Sequence, residues 1–147
     1  MNHDIIHKFC RYHNIKKYTI NNDDSIDVND SVVFINSRMK IIPIKFNKVY
    51  GSFYCRKIGL LTLKNSPNYV GGSFYCDDNL LKSLYGCPQN VVGYFFAQDN
   101  PLDSIDGYNN FEDLDYKYLT CDNQEELVSK YKKNIRNIRM KHLLESI

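Results

Sequence analysis

A stretch of nineteen residues, VGGSFYCDDNLLKSLYGCP (70–88), recurs along the chain at a fixed spacing of 21 residues. One step back, VYGSFYCRKIGLLTLKNSP (49–67) aligns with it. One step forward, VVGYFFAQDNPLDSIDGYN (91–109) aligns as well. A further step back gives the degenerate copy VNDSVVFINSRMKIIPIKF (28–46), and a further step forward leaves the strand-like half EDLDYKYLTC (112–121). Self-similarity at a period of 20–30 residues is the mark of a solenoid, and it constrains the fold more than any single motif in the chain.

Stacking the copies gives side-chain columns. Val32, Phe53, Phe74, Phe95 and Tyr116 form one; Phe34, Cys55, Cys76, Ala97 and Tyr118 form the next. Met39, Leu60, Leu81 and Leu102 form a third, and Ile42, Leu63, Leu84 and Ile105 a fourth. Each coil then offers four inward side chains that it cannot bury alone. Each is worth about 1.5–3 kcal/mol once a neighbour covers it, so the array stands only as a stack. Gly86 and Gly107 are expected to turn the chain after the Leu pair, with Pro67 and Pro88 stiffening the return.

Residues 92–102 read V-x-x-F-x-A-x-x-N-x-L, close to the leucine-rich pattern. In these copies, and in the lead-in IKKYTINNDDSIDVNDSVVF (15–34), the chain resembles the short leucine-rich-type repeat proteins of tailed bacteriophages and related bacterial proteins. The resemblance covers roughly residues 15–110. It implies a phage or prophage protein whose repeats are a binding scaffold without chemistry of their own. A host-directed role in the host cytoplasm, such as inhibiting a defence protein by direct binding, follows from it by analogy. The chain departs from the pattern at the Asn column, which reads Ser37, Ile58, Asn79, Asn100; only the last two retain the amide expected to bond the turn backbones.

The ends do not repeat. Asp4 is a plausible N-cap for a helix over 4–14, with Ile5, Ile6, Phe9, Cys10 and His13 at helical spacing. KKYTI and SIDV read as short strands about the turn NNDD. Asp122 with Glu125 has the spacing of a capping box, opening a helix to about residue 145 with Leu127, Val128, Tyr131, Ile135, Ile138, Met140, Leu143 and Leu144. The fold expected is one domain over 1–147, a short leucine-rich-repeat-like β-solenoid of four to five coils with a parallel sheet. Residues 1–27 and 122–147 cap the repeats of 28–121, and each cap includes a helix.

Alternation along a strand turns Tyr54, Tyr75 and Phe96 outward when Phe74 and Cys76 face in. With Tyr94 they make an aromatic strip, and Val33 and Lys117 extend the column. Exposed aromatic rows mark interaction surfaces; the plainer reading is that the rings support one another across strands or lie under the terminal helices. Arg56, Asp77 and Asp99 flank the strip and are expected to share in binding a protein partner. The acidic residues nearby match no calcium-binding loop, so no metal and no cofactor are expected.

Charge is polarised. The net charge is only +2, yet residues 77–126 hold eleven Asp/Glu against two Lys/Arg, and 127–147 hold six Lys/Arg against one Glu. Lys130, Lys132, Lys133, Arg136 and Arg139 are candidate phosphate contacts for a nucleic acid, or else the solvated side of a capping helix. That helix also offers a route to a homo-oligomer. Five cysteines without C-x-x-C spacing read as free core thiols in a reducing compartment. His3, His7, His13 and His142 all lie in the terminal helices, away from the repeat cysteines, so no nucleophile, base and orienting group converge and no enzyme is expected. No signal peptide is expected from the opening residues, and no apolar run is long enough to cross a bilayer as a helix.

Overall fold

The computed structural model describes residues 2–34, 37–108 and 119–146. It is a solenoid of about four turns between an N-terminal helix α1 (His3–Tyr12) and a C-terminal helix α2 (Gln124–Glu145). The strands are short: β1 (Tyr18–Ile20), β2 (Ile26–Val28), β3 (Val32–Val33), β4 (Phe46–Val49), β5 (Phe53–Tyr54), β6 (Tyr69–Val70), β7 (Phe74–Tyr75), β8 (Asn90–Val91), β9 (Phe95–Phe96) and β10 (Leu119–Thr120).

These strands form two sheets where the sequence had suggested one. The first runs β1-β2-β4-β6-β8 and the second β10-β9-β7-β5-β3. The coils of β4–β5, β6–β7 and β8–β9 each enter the first sheet, bend at Gly51, Gly72 or Gly93, and cross at once into the second. Side chains at these bends would collide with the preceding coil, which nests there through Ser31, Ser52 and Ser73. A serine ladder ties the bends together: Ser52, Ser73 and Tyr94 each donate their backbone N–H to the Oγ of the serine one coil back, at 3.0 Å. Among the described residues only β1 and β2 pair antiparallel; the pairs between coils are parallel, with a register shift between β2 and β4 at Ile26/Asp27 and, in the middle coils, Phe53 beside Phe74 and Phe74 beside Phe95.

The inward columns fall as the repeat implies. Val49, Phe53, Cys55, Leu60 and Leu63 in one middle coil, and Val70, Phe74, Cys76, Leu81 and Leu84 in the next, are all fully buried. Met39 and Leu102, in the outer coils, are only partly buried. Gly86 and Gly107 make the predicted turns in the left-handed region, at φ +83° and +96°.

Three local expectations are corrected. The cap of α1 is Asn2, whose side chain accepts the Asp4 N–H at 2.9 Å, so Asp4 lies inside the first turn. The Asp122–Glu125 capping box does not form: Asn123 precedes the helix in the left-handed conformation with no side-chain cap bond. Asp122 instead accepts the backbone N–H of Asp99 at 2.6 Å, which ties the last strand to the coil before it. The final strand is also out of step with the 21-residue period. Leu119 pairs with Phe95 and Thr120 with Phe96, a step of 24 residues, so Leu119 and Cys121 take the inward places assigned to Tyr116 and Tyr118. Tyr116, Lys117 and Tyr118 themselves lie outside the described residues.

At the N-terminal end, α1 lays Ile6 and Cys10 on the core, and Phe9 and His13 meet the ring of Phe34 edge-on at 5.8 and 5.1 Å. At the other end α2 does not simply lie flat on the stack. Leu127 is buried and Val128 and Tyr131 pack against the core, but every described residue from Arg136 onward is exposed.

Candidate functional site

The second sheet carries the aromatic strip. Because β5, β7 and β9 pair in register, Tyr54, Tyr75 and Phe96 stand one above another. Their rings are near-parallel, with centroids 4.5 Å apart at 8° for Tyr54–Tyr75 and 4.7 Å apart at 12° for Tyr75–Phe96. That is close to the roughly 4.8 Å spacing of neighbouring strands, so the pile follows from backbone pairing. Tyr94 adds a tilted ring 6.0 Å from Phe96, and Val33 continues the column at the N-terminal end. The three stacked rings are half-buried, while Tyr94 and Val33 are exposed.

Stacking decides what the strip can recognise. Ring planes lie across the solenoid axis, so the faces of Tyr75 are occupied by its neighbours on both sides. Solvent meets ring edges and hydroxyl groups. A base or sugar that needs an open ring face finds none at the middle rung. Apolar side chains and hydrogen-bonding groups of a protein can pack against such edges.

Beside the strip runs a row of polar residues, one per coil: Arg56, Asp77, Gln98 and Asp122. Arg56 pairs with Asp77 at 2.7 Å. Asp77, expected on the exposed flank, is only 7% exposed, and its Oδ1 is buried without a hydrogen-bond partner among the described residues. Its carboxylate holds the Arg56 guanidinium across two coils, and the exposure expected of it is corrected to burial. The next position is left-handed in four successive coils: Lys57, Asp78, Asp99 and Asn123 have φ of 57°, 56°, 54° and 52°. Asp and Asn adopt this region more readily than other side chains. Lys57 and Asp78 approach to 3.9 Å; Asp78, Asp99 and Asp122 are exposed. The flank is therefore basic at Arg56 and Lys57 and acidic over the later coils.

The basic residues of α2 lie elsewhere. Tyr131, Asn134, Ile135 and Ile138 border a groove with Tyr85, Gly86, Asp106 and Gly107, on the turn side of the coils. Lys130 donates to the Asp103 carbonyl at 3.0 Å, while Lys132, Lys133, Arg136 and Arg139 are exposed. The helix thus leaves the second sheet uncovered, and the strip and the basic cluster occupy different sides of the molecule.

All five cysteines are buried and free. Burial pushes the Cys10 and Cys121 thiols up to about 11 and Cys87 to about 12, and raises Cys55 and Cys76 as well. His7 Nδ1 lies 2.5 Å from the Tyr18 hydroxyl and His3 pairs with Asp24 at 2.9 Å. Burial lowers the pKa of His13. Among the described residues no group of three or more His, Cys, Asp or Glu side chains could hold a metal ion, and no helix is long and apolar enough to cross a membrane.

Sequence reasoning located the strip but missed two features: the burial of Asp77 and the place of Asp122 in the polar row. The second was readable, since Leu119-x-Cys121 echoes Phe53-x-Cys55 and Phe74-x-Cys76. Comparison with protein-family models, curated proteins and solved structures finds no match to this chain.

Proposed function

We propose that this protein is a non-enzymatic binding module that captures a protein partner on its second sheet, through Tyr54, Tyr75, Phe96 and Tyr94 with Arg56 and Asp99 at the flank. The observation that carries this is the edge-on ring pile, held by parallel pairing over three coils and left open by both helices. A surface fixed by its own scaffold loses little freedom on binding. Thiols held protonated by burial support a role without nucleophilic catalysis. The repeat resemblance supports a partner in the host cytoplasm of a phage-encoded protein, a defence protein being the kind of target such a scaffold blocks by direct contact.

The test is capture from host lysate by immobilised protein, comparing the wild type with a Tyr54→Ser/Tyr75→Ser/Phe96→Ser variant whose circular dichroism shows the solenoid intact. The wild type should retain a specific protein that the variant loses. Equal retention by both removes this face from the reading.

A second reading rests on the exposed Lys132, Lys133, Arg136 and Arg139: the helix grips a nucleic-acid backbone. It predicts DNA or RNA binding that weakens steeply with salt and is lost on Lys133→Glu/Arg136→Glu. No binding at low salt ends it.

A further inference from the structure

The free end of α2 carries an apolar patch. Met140, Leu143 and Leu144 are 53%, 61% and 69% exposed. Met140, Leu143 and Leu144 stand at i, i+3 and i+4, hence on one side of the helix. At about 100° per residue that side lies opposite Leu127, Tyr131 and Ile135, which face the coils. Lys133 and Arg136 fall within the same sector. Clustered large apolar side chains on a surface mark something that covers them.

Charge selects the occupant. Two such free ends side by side would bring Arg136, Arg139 and Lys141 of each together, with Glu145 alone on each to offset them. A lipid surface calls for apolar and basic sides that are separate, whereas here the cations sit inside the apolar sector. The matching surface is on the same protein. Tyr75, Phe96 and Tyr94 supply apolar edges, and Asp78, Asp99 and Asp122 supply an exposed acidic row beside them. Ring spacings of 4.5 and 4.7 Å are near the 5.4 Å rise of one helical turn, so a helix laid along the pile can bring successive apolar side chains against the ring edges, about one per rung. Within one molecule the two cannot meet, because α2 is a single helix held on the turn side through Lys130 and Tyr131.

We infer that the free end of α2 in one copy docks on the aromatic strip and acidic row of a second copy. This rests on reading the strip as a binding surface, and it names the chemistry the strip accepts: a helix presenting apolar side chains among cations. Helix meets strip, so the contact is not self-complementary in itself. Two copies close a pair when each receives the other's helix, and otherwise a chain grows.

Sedimentation velocity of the full chain over a concentration series, at low and high salt, tests this. Mass above the monomer is expected at low salt, falling as salt is added. Met140→Asp/Leu143→Asp and Tyr75→Ser/Phe96→Ser should each return it to monomer with unchanged circular dichroism. Arg139→Glu and Asp99→Lys should each weaken association, and an equimolar mixture of those two variants should recover it in part through the restored opposite pairing. A monomer at every concentration in low salt overturns the inference, as does association lost in the helix variant but kept in the strip variant. Lysate capture separates this from the functional reading. A strip that captures a foreign protein in a wild type that stays monomeric defeats the inference alone. Association through the strip with no foreign protein captured sustains the inference and removes the foreign partner. The Met140→Asp/Leu143→Asp variant, its strip freed, should capture a foreign partner at least as well as the wild type.

Discussion

Asn79 shows how much one side chain can hold. Its Oδ1 accepts the backbone N–H groups of Ile58, Gly59 and Leu60 at 3.2, 3.0 and 3.0 Å, and its Nδ2 donates to the carbonyls of Cys55 and Cys76 at 2.9 Å each. It substitutes for the backbone pairing that a tight turn between coils cannot make. Asn100 repeats the device with fewer partners: Leu81 N–H at 3.1 Å, with the Cys76 and Ala97 carbonyls at 3.0 and 3.1 Å. A buried polar group left unpaired costs about 1–3 kcal/mol. Asn79→Ala should therefore lower unfolding free energy by about 3–5 kcal/mol and Asn100→Ala by less, as read from urea denaturation of the two variants. His13 gives a residue-scale dependence on pH. It is 5% exposed, and burial among the rings of Phe9 and Phe34 holds its pKa below 6.5. Below 6.5 the unfolded chain binds the proton more readily than the folded one. Stability should thus be level above that pH and decline as pH falls through it, and His13→Phe should flatten the decline.

At the scale of elements, most of the solenoid was legible because one constraint, the period, is written several times. Each inward column is confirmed by its neighbours, so a weak copy such as residues 28–46 can be placed from a strong one. Ser37 and Ile58 interrupt the Asn column without disturbing the register, since Ile58 is itself buried and borrows the Asn79 amide of the next coil. What could not be read lies where the repetition stops. In DLDYKYLTC two alternations compete, one turning Tyr116 and Tyr118 inward and the other Leu119 and Cys121, and the 21-residue count favoured the wrong one. The capping box failed for a related reason: Asp122 still belongs to the coil, and Asn123 keeps the left-handed conformation of Lys57, Asp78 and Asp99. The strip was legible in outline, but its ring-on-ring geometry depends on register to the residue. Leu119→Ala should cost about 2–5 kcal/mol, as other large-to-small core changes do, and a urea midpoint unchanged from wild type would contradict the step of 24 residues between β9 and β10.

Over the whole molecule, contacts run from coil to neighbouring coil, so stability is close to a sum of interfaces. The middle coils are closed on both sides and the outer ones lean on the terminal elements. Opening should begin at the ends. Five buried thiols sit along the stack and record it: Cys10 under α1, Cys55 and Cys76 in the middle, Cys87 in the later turn, and Cys121 after the last strand. In native buffer at neutral pH, labelling should be slow at all five, because burial removes both access and the thiolate. As urea is added below the global midpoint, mass spectrometry should find Cys10 and Cys121 alkylated before Cys55 and Cys76. Simultaneous labelling would mean that the stack opens as one unit. The tyrosine pile has a further use. The chain has no tryptophan, so nothing stronger obscures tyrosine absorption, and the near-parallel Tyr54–Tyr75 pair is close enough for its transitions to couple. Near-ultraviolet dichroism should carry the imprint of that pair, and whatever settles on its edges will change the signal, so the protein reports its own occupancy without a label.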